Sequence, residues 1–162
     1  MASDAGSDTF WQGFQEPFDF IYSEDVFEHL PLPVLDKVLL MMSKHISNRG
    51  VALIRPNIFS GITGGHQIEW YRHTLHEDHP RRSAPWDHLR QNQYPADTYL
   101  NRLLRKDYRA KFKEYFDVVE ETTLQPDLGR KYLTEPIRSE LAEYPDEELF
   151  SNQVLFVLRM KR

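Results

Sequence analysis

Apolar and polar positions divide this chain into short strands and amphipathic helices. Phe18-Asp19-Phe20-Ile21-Tyr22-Ser23 is a short aromatic and β-branched run after Pro17, which predicts a buried strand. A polar crest from Glu24 to Leu30 follows, with apolar insertions at Val26 and Phe27. Pro31-Leu32-Pro33 opens a helix, since a first-turn proline gives up only an N–H that has no partner there. Leu35, Val38, Leu39, Met42 and Ile46 recur at spacings of three and four and make one apolar stripe. Asn48-Arg49-Gly50 ends this helix, with Gly50 suited to a left-handed cap. Val51-Ala52-Leu53-Ile54 is continuously apolar, the pattern of a parallel strand covered on both faces. Together these make one βαβ unit with a right-handed crossover.

From Arg55 to Tyr94 no helical or strand period runs, and five of the seven His fall there with Gly61, Gly64 and Gly65. Long irregular segments inside a domain are often functional. Helical spacing returns from Pro95 to Phe112, with Leu100, Leu103, Leu104 and Tyr108 inside and a basic face from Arg102 to Lys113 outside. Phe116 to Thr122 reads as a strand. Thr134 caps a short helix to about Tyr144, and Gln153 to Leu158 is a closing strand. The expectation is an α/β domain over residues 17–162, preceded by a flexible lead-in over 1–16. Its mixed sheet has about four strands, the last ones antiparallel.

Composition narrows the function classes. At 40% hydrophobic residues the chain is not of disordered type. A net charge of -5 argues against nucleic acid as a partner. The absence of Cys excludes disulfides, thiolate metal sites and a Cys nucleophile, and suits the cytoplasm. No apolar run approaches the roughly 20 residues of a membrane helix. The small, acidic start has no basic or apolar region of a signal peptide, so none is expected, nor is a membrane partner.

The run from Phe18 to Leu30, ending in Glu28-His29-Leu30, resembles the fourth-strand segment of class I S-adenosylmethionine-dependent methyltransferases. The next helix, the Arg49-Gly50 turn and Val51–Ile54 resemble that family's following helix, turn and fifth strand. The strands around Val118 and Val154 look like its sixth and seventh. Ala84-Pro85-Trp86-Asp87-His88-Leu89, with Tyr99-Leu100-Asn101, looks like an insertion of some bacterial members, several of which act in sugar or small-metabolite pathways. The resemblance implies a partial Rossmann-like methyltransferase sheet, S-adenosylmethionine as cofactor, and a small-molecule or sugar-linked substrate. The family's Gly-rich turn is missing: no Gly-x-Gly-x-Gly run occurs, and 17 residues before the matching segment are too few for three strands with helices.

On this resemblance Ser23, Glu24 and Asp25 line the cofactor; otherwise they are a helix-entry cap. His29, with Glu28, accepts a proton from the methyl acceptor, or else orders the loop through local hydrogen bonds. Tyr71, Trp86 and His88 contact the substrate, with Trp70, Arg72, Arg81, Arg82 and Arg90 around them; otherwise the Trp side chains anchor the loop. His66, His73, His76 and His79 have a spacing that can seat a divalent ion, but no helical His-Glu-x-x-His accompanies them and no metal is expected. The alternative to an enzyme is a non-catalytic remnant. It would self-associate, or pair with a partner chain that completes the sheet, through an exposed strand edge.

Overall fold

The computed structural model describes residues 5–75, 83–93 and 99–161. Four strands, β1 (Phe18–Glu24), β2 (Ile46–Arg55), β3 (Phe116–Thr123) and β4 (Val154–Met160), form one sheet in the order β1-β2-β4-β3. β1 and β2 run parallel, and β4 is antiparallel to both β2 and β3. This is the mixed α/β sheet that the pattern of apolar runs predicts. The helices are α1 (Asp8–Gln12), α2 (Leu32–His45), α3 (Asp87–Arg90), α4 (Arg105–Tyr115), α5 (Glu135–Glu140) and α6 (Asp146–Leu149).

One face of the sheet carries the core. Ala52, Ile54, Val154, Phe156 and Leu158 pack with Leu35, Val38, Leu39 and Met42 of α2 and with Tyr108 and Phe112 of α4. The Phe112 ring lies 4.9 Å from Phe156 and 6.0 Å from Phe27, edge on in both cases. Each of the larger aliphatic, methionine and phenylalanine side chains in this set stabilises the fold by roughly 1.5–3 kcal/mol through burial. The alternate residues Phe20, Tyr22, Val51, Leu53, Leu155 and Val157 sit on the other face and stay exposed or half-buried. The prediction of a β2 covered on both faces is therefore corrected: the buried residues of α2 and α4 belong to one core, so one face is closed.

A second apolar cluster lies under the long loop. Ile62, Trp70, Trp86, Leu141, Leu149 and Phe150 are buried together. Gly129 passes below the Trp86 ring at φ 98°, where a Cβ would come within 3.1 Å of the indole. Glycine meets both demands, the positive φ and the close approach.

Four local expectations are revised. Gly50 lies inside β2 and is not a helix cap; α2 passes directly into the strand at Ile46. A Cβ on Gly50 would come 2.8 Å from the Phe18 carbonyl oxygen, at the place where the β1–β2 register shifts. The helix expected from Pro95 begins at Arg105, residues 94–98 lying outside the described residues. Residues 99–104 are tied instead to the crest after β1. Asn101 donates its backbone N–H to Glu28 O (2.8 Å) and its side-chain amide to Phe27 O (2.7 Å) and Leu30 O (3.2 Å). The helix expected from Thr134 to about Tyr144 ends at Glu140. The segment expected as a lead-in carries α1, which buries Trp11; the indole N–H donates to Ala5 O at 2.7 Å.

Candidate functional site

The parallel strands β1 and β2 end side by side, with Glu24 opposite Arg55. Residues just beyond parallel strand ends are the ones a sheet of this type presents to a ligand. At that point Asp25 takes a left-handed conformation (φ 52°) and its N–H donates to Arg55 O at 3.0 Å. The chain then makes one 3-10 turn, Phe27–His29, whose Phe27 enters the core while Glu28 turns inward. After β2, Asn57 bridges the two carboxylates: its side-chain amide donates to Asp25 Oδ1 (2.8 Å) and Glu28 Oε1 (2.9 Å). Gln153 donates to the same Asp25 oxygen at 2.9 Å.

The Gly-rich loop brings His66 to this crest. His66 has φ 54°, and its Nε2 lies 3.8 Å from Glu28 Oε1. Its ring stands edge-on to His29, with centroids 4.8 Å apart, and the Tyr71 hydroxyl is 3.4 Å from its Nδ1. The His29 Nδ1–H donates to Tyr99 O at 3.0 Å. Gly65 makes the approach possible by lying flat on His88, where a Cβ would meet the His88 Cβ at 2.6 Å.

Burial sets the protonation states. The Glu28 carboxyl is pushed above the ordinary carboxylate value by burial, against its hydrogen bonds from Asn57. Burial lowers His66 to about 4, helped by the neighbouring His29, so His66 is neutral at pH 7. The approach of His66 to Glu28 is then not a salt bridge at that pH. Tyr71 is pushed up to about 12 by burial and by the charges of Asp25 and Glu28, so its hydroxyl stays protonated.

The structure gathers Glu28, His29 and Tyr71 of the predicted set at one place, with Asp25 beside them. Ser23 is half-buried in β1 opposite Ile54. Glu24 is engaged by Arg55 and by the Tyr22 hydroxyl. Trp86 is enclosed in the second apolar cluster at φ 56°, and its indole N–H donates to Ser60 O at 3.1 Å. His88 is buried too, its Nε2–H donating to Phe59 O at 2.8 Å. Of the four loop His, His66 joins the crest, His73 is exposed, and His76 and His79 lie outside the described residues, as do Arg81 and Arg82. Tyr99 and Asn101, noted in the sequence only as part of the second resembling stretch, and Asn57, which did not stand out there, complete the site. Asn57 stands two residues past the end of β2, and that position was its one signal. A cleft of about 730 Å³ lies at the opposite end of the sheet, lined by Asn48, Arg49, Asp117 and Arg159 among others, and holds none of the predicted residues.

No protein-family model matches the chain, and no curated protein matches its sequence. Solved structures do match. One is a S-adenosylmethionine-dependent methyltransferase from Clostridium acetobutylicum ATCC 824, with TM-score 0.55 and 10% identity over 100% of this chain and 64% of that one. Another is the PH0226 protein from Pyrococcus horikoshii OT3, with TM-score 0.53 and 12% identity over 99% of this chain and 58% of that one. The fold is thus of class I methyltransferase type. The chain spans less than two thirds of either neighbour's length. No described helix is long and apolar enough to cross a membrane.

Proposed function

We propose that this chain is the C-terminal, acceptor-side portion of a S-adenosylmethionine-dependent methyltransferase acting on a small-molecule or sugar-linked substrate in the cytoplasm. One observation carries the reading: Glu28, His29, His66 and Tyr71 converge at the carboxyl ends of two parallel strands. In such an enzyme the cofactor supplies an electrophilic methyl group. This chain supplies the means to hold an acceptor and take its proton. His29 spends its Nδ1–H on Tyr99 O, which leaves Nε2 to accept a proton from an acceptor hydroxyl placed there. Tyr71 stays protonated at neutral pH, so its hydroxyl can donate to that acceptor while its oxygen lies 3.4 Å from His66 Nδ1. Asn57 and Asn101 fix the crest, so that positioning is built in before the substrate arrives.

The described residues do not by themselves form a site for the cofactor. Gly61, Gly64 and Gly65, the one glycine cluster, pack against Asn152, Phe59 and His88, where a Cβ would come within 2.1 to 2.6 Å. They cradle this chain's own atoms, not a ligand. Glu24 and Asp25 are occupied by Arg55 and by Asn57 and Gln153. What remains is one wall of a crevice, from Ser23 to Val26. Titrating the full chain with millimolar S-adenosylhomocysteine, followed by amide NMR shifts, tests this. Weak shifts confined to residues 23–26 and 55–57 are expected, and their absence sinks the reading.

A second reading, a self-associating module without catalysis, is favoured by the sheet face left open and the edge of β1 left unpaired among the described residues. Absent shifts together with a dimer in solution would select it.

A further inference from the structure

We infer that Glu28, His29 and His66 form a binding site for a divalent transition-metal ion of zinc type. One ligand atom from each of the three lies within 4.8 Å of the other two. Two imidazoles and one carboxylate suit zinc or iron(II) better than magnesium or calcium, which prefer oxygen donors. Three protein ligands also leave a coordination position open.

Both imidazoles are oriented as ligands are. His29 donates Nδ1–H to the Tyr99 carbonyl, which fixes the tautomer with a free lone pair on Nε2. The Tyr71 oxygen, 3.4 Å from His66 Nδ1, can accept that nitrogen's proton and leave Nε2 facing Glu28. The carboxylate is equally prepared. Asn57 holds Glu28 Oε1, while Glu28 is only 4% exposed. Among the described residues, neither Glu28 Oε2 nor His66 Nε2 has a hydrogen-bond partner, and both atoms are buried. A buried carboxylate with an unpartnered oxygen, and a buried imidazole nitrogen 3.8 Å from the other oxygen of the same carboxylate, can be satisfied together by one cation.

The fit requires only modest movement. Ligand bonds of about 2.1 Å put tetrahedral donors about 3.4 Å apart. Glu28 and His66 already stand at 3.8 Å, and small torsions of the partly exposed His29 close the rest. The site takes in only one of the four loop His of the sequence pattern, and pairs it with the Glu28-His29 crest. With the ion bound, His29 Nε2 is a ligand and no longer the proton acceptor, and a hydroxyl in the open position would release its proton to solvent more readily. That consequence rests on the transferase reading; the ion site itself does not.

The test uses the full chain freed of metal by chelation, with cobalt(II) followed by its visible absorption and zinc(II) by calorimetry. One ion per chain is expected. Glu28→Gln keeps the side-chain shape and the Asn57 contact, so it isolates the ligand. It and His29→Ala should each lower affinity at least ~100-fold, and Tyr71→Phe about 10-fold through the outer shell. His73→Ala, on the exposed turn of the same loop, should change nothing. Absence of binding, or an affinity that survives both Glu28→Gln and His29→Ala, overturns the proposal. Either result leaves the S-adenosylhomocysteine titration free to decide the transferase reading separately.

Discussion

His66 and His88 are each lowered to about 4 chiefly by burial, which strips a charged imidazole of water. In the unfolded chain each titrates near ~6.5. Between these values the unfolded chain binds protons that the native chain refuses. Stability therefore falls as pH drops from about 6.5 to about 4 and levels off below that. Each His contributes on the order of 3 kcal/mol to that loss. Glu28 acts with the opposite sign: its carboxyl is raised, so it withdraws stability as pH climbs above the ordinary carboxylate value and offsets part of the effect. Urea midpoints measured from pH 7 to pH 4 should drop steeply in the wild type and less in His88→Gln; equal slopes would refute the assignment. Gly65→Ala belongs to the same contact. Its Cβ would meet the His88 Cβ at 2.6 Å, and the strain should cost about 2 kcal/mol in a urea melt while displacing His66. Only part of this constellation was legible. Glu28 and His29 stand together in a recognisable run. His66 reaches them across 36 intervening residues, and Asn101 reaches the crest from 71 to 74 positions away. No local pattern encodes such contacts, so the sequence grouped His66 with His73, its neighbour in the loop.

At the scale of elements, α4 shows how tertiary contacts override helical spacing. Leu100, Leu103 and Leu104 have the period of a helix, yet hydrogen bonds from Asn101 hold that segment against the crest, and Phe59 N–H donates to Leu103 O. The helix starts only where its free N–H groups find a partner. Glu148, buried in α6, accepts from the N–H groups of Arg105 (2.9 Å) and Lys106 (3.0 Å), and Asp107 accepts from Leu104 N–H at 2.9 Å. A carboxylate at this end satisfies orphan donors and opposes the helix dipole. Glu148→Gln should therefore destabilise the chain by about 1–2 kcal/mol in urea unfolding. Glu147→Gln, whose carboxylate is largely exposed and reaches Arg105 and Arg109, should cost less than about 1 kcal/mol. Equal costs would mean that the cap does not hold α4. The strands and α2 were legible because their apolar periods point at one core. The start of α4 was not, because its cap comes from 43 positions away.

For the whole molecule, the feature that calls for a partner is β1. It pairs with β2 along one side and is the edge of the sheet. Trp11 and Phe14 pack against Phe18 at its beginning, but Phe20 is 57% and Tyr22 53% exposed farther along. Val51 and Leu53 lie opposite them in register, and Leu155 and Val157 continue the same face. A stable interface takes about 800 Å² from each partner. Two aromatic side chains supply only part of that, so the edge hydrogen bonds and the β2–β4 residues must join. We propose that a second copy of this chain covers the surface. Sedimentation at tens of micromolar should then show a dimer that strengthens in sulfate, as apolar association does. Phe20→Lys with Tyr22→Lys should yield a monomer. The urea midpoint should be unchanged within about 0.5 kcal/mol of stability when both proteins are diluted until the wild type is also monomeric, because neither side chain is buried in the single chain. A wild-type monomer, or a dimer indifferent to both lysines, removes the second copy as occupant. The edge is then left to a different chain that would bring the strands and glycine turn of a cofactor crevice, and the same two lysines should block that chain's docking.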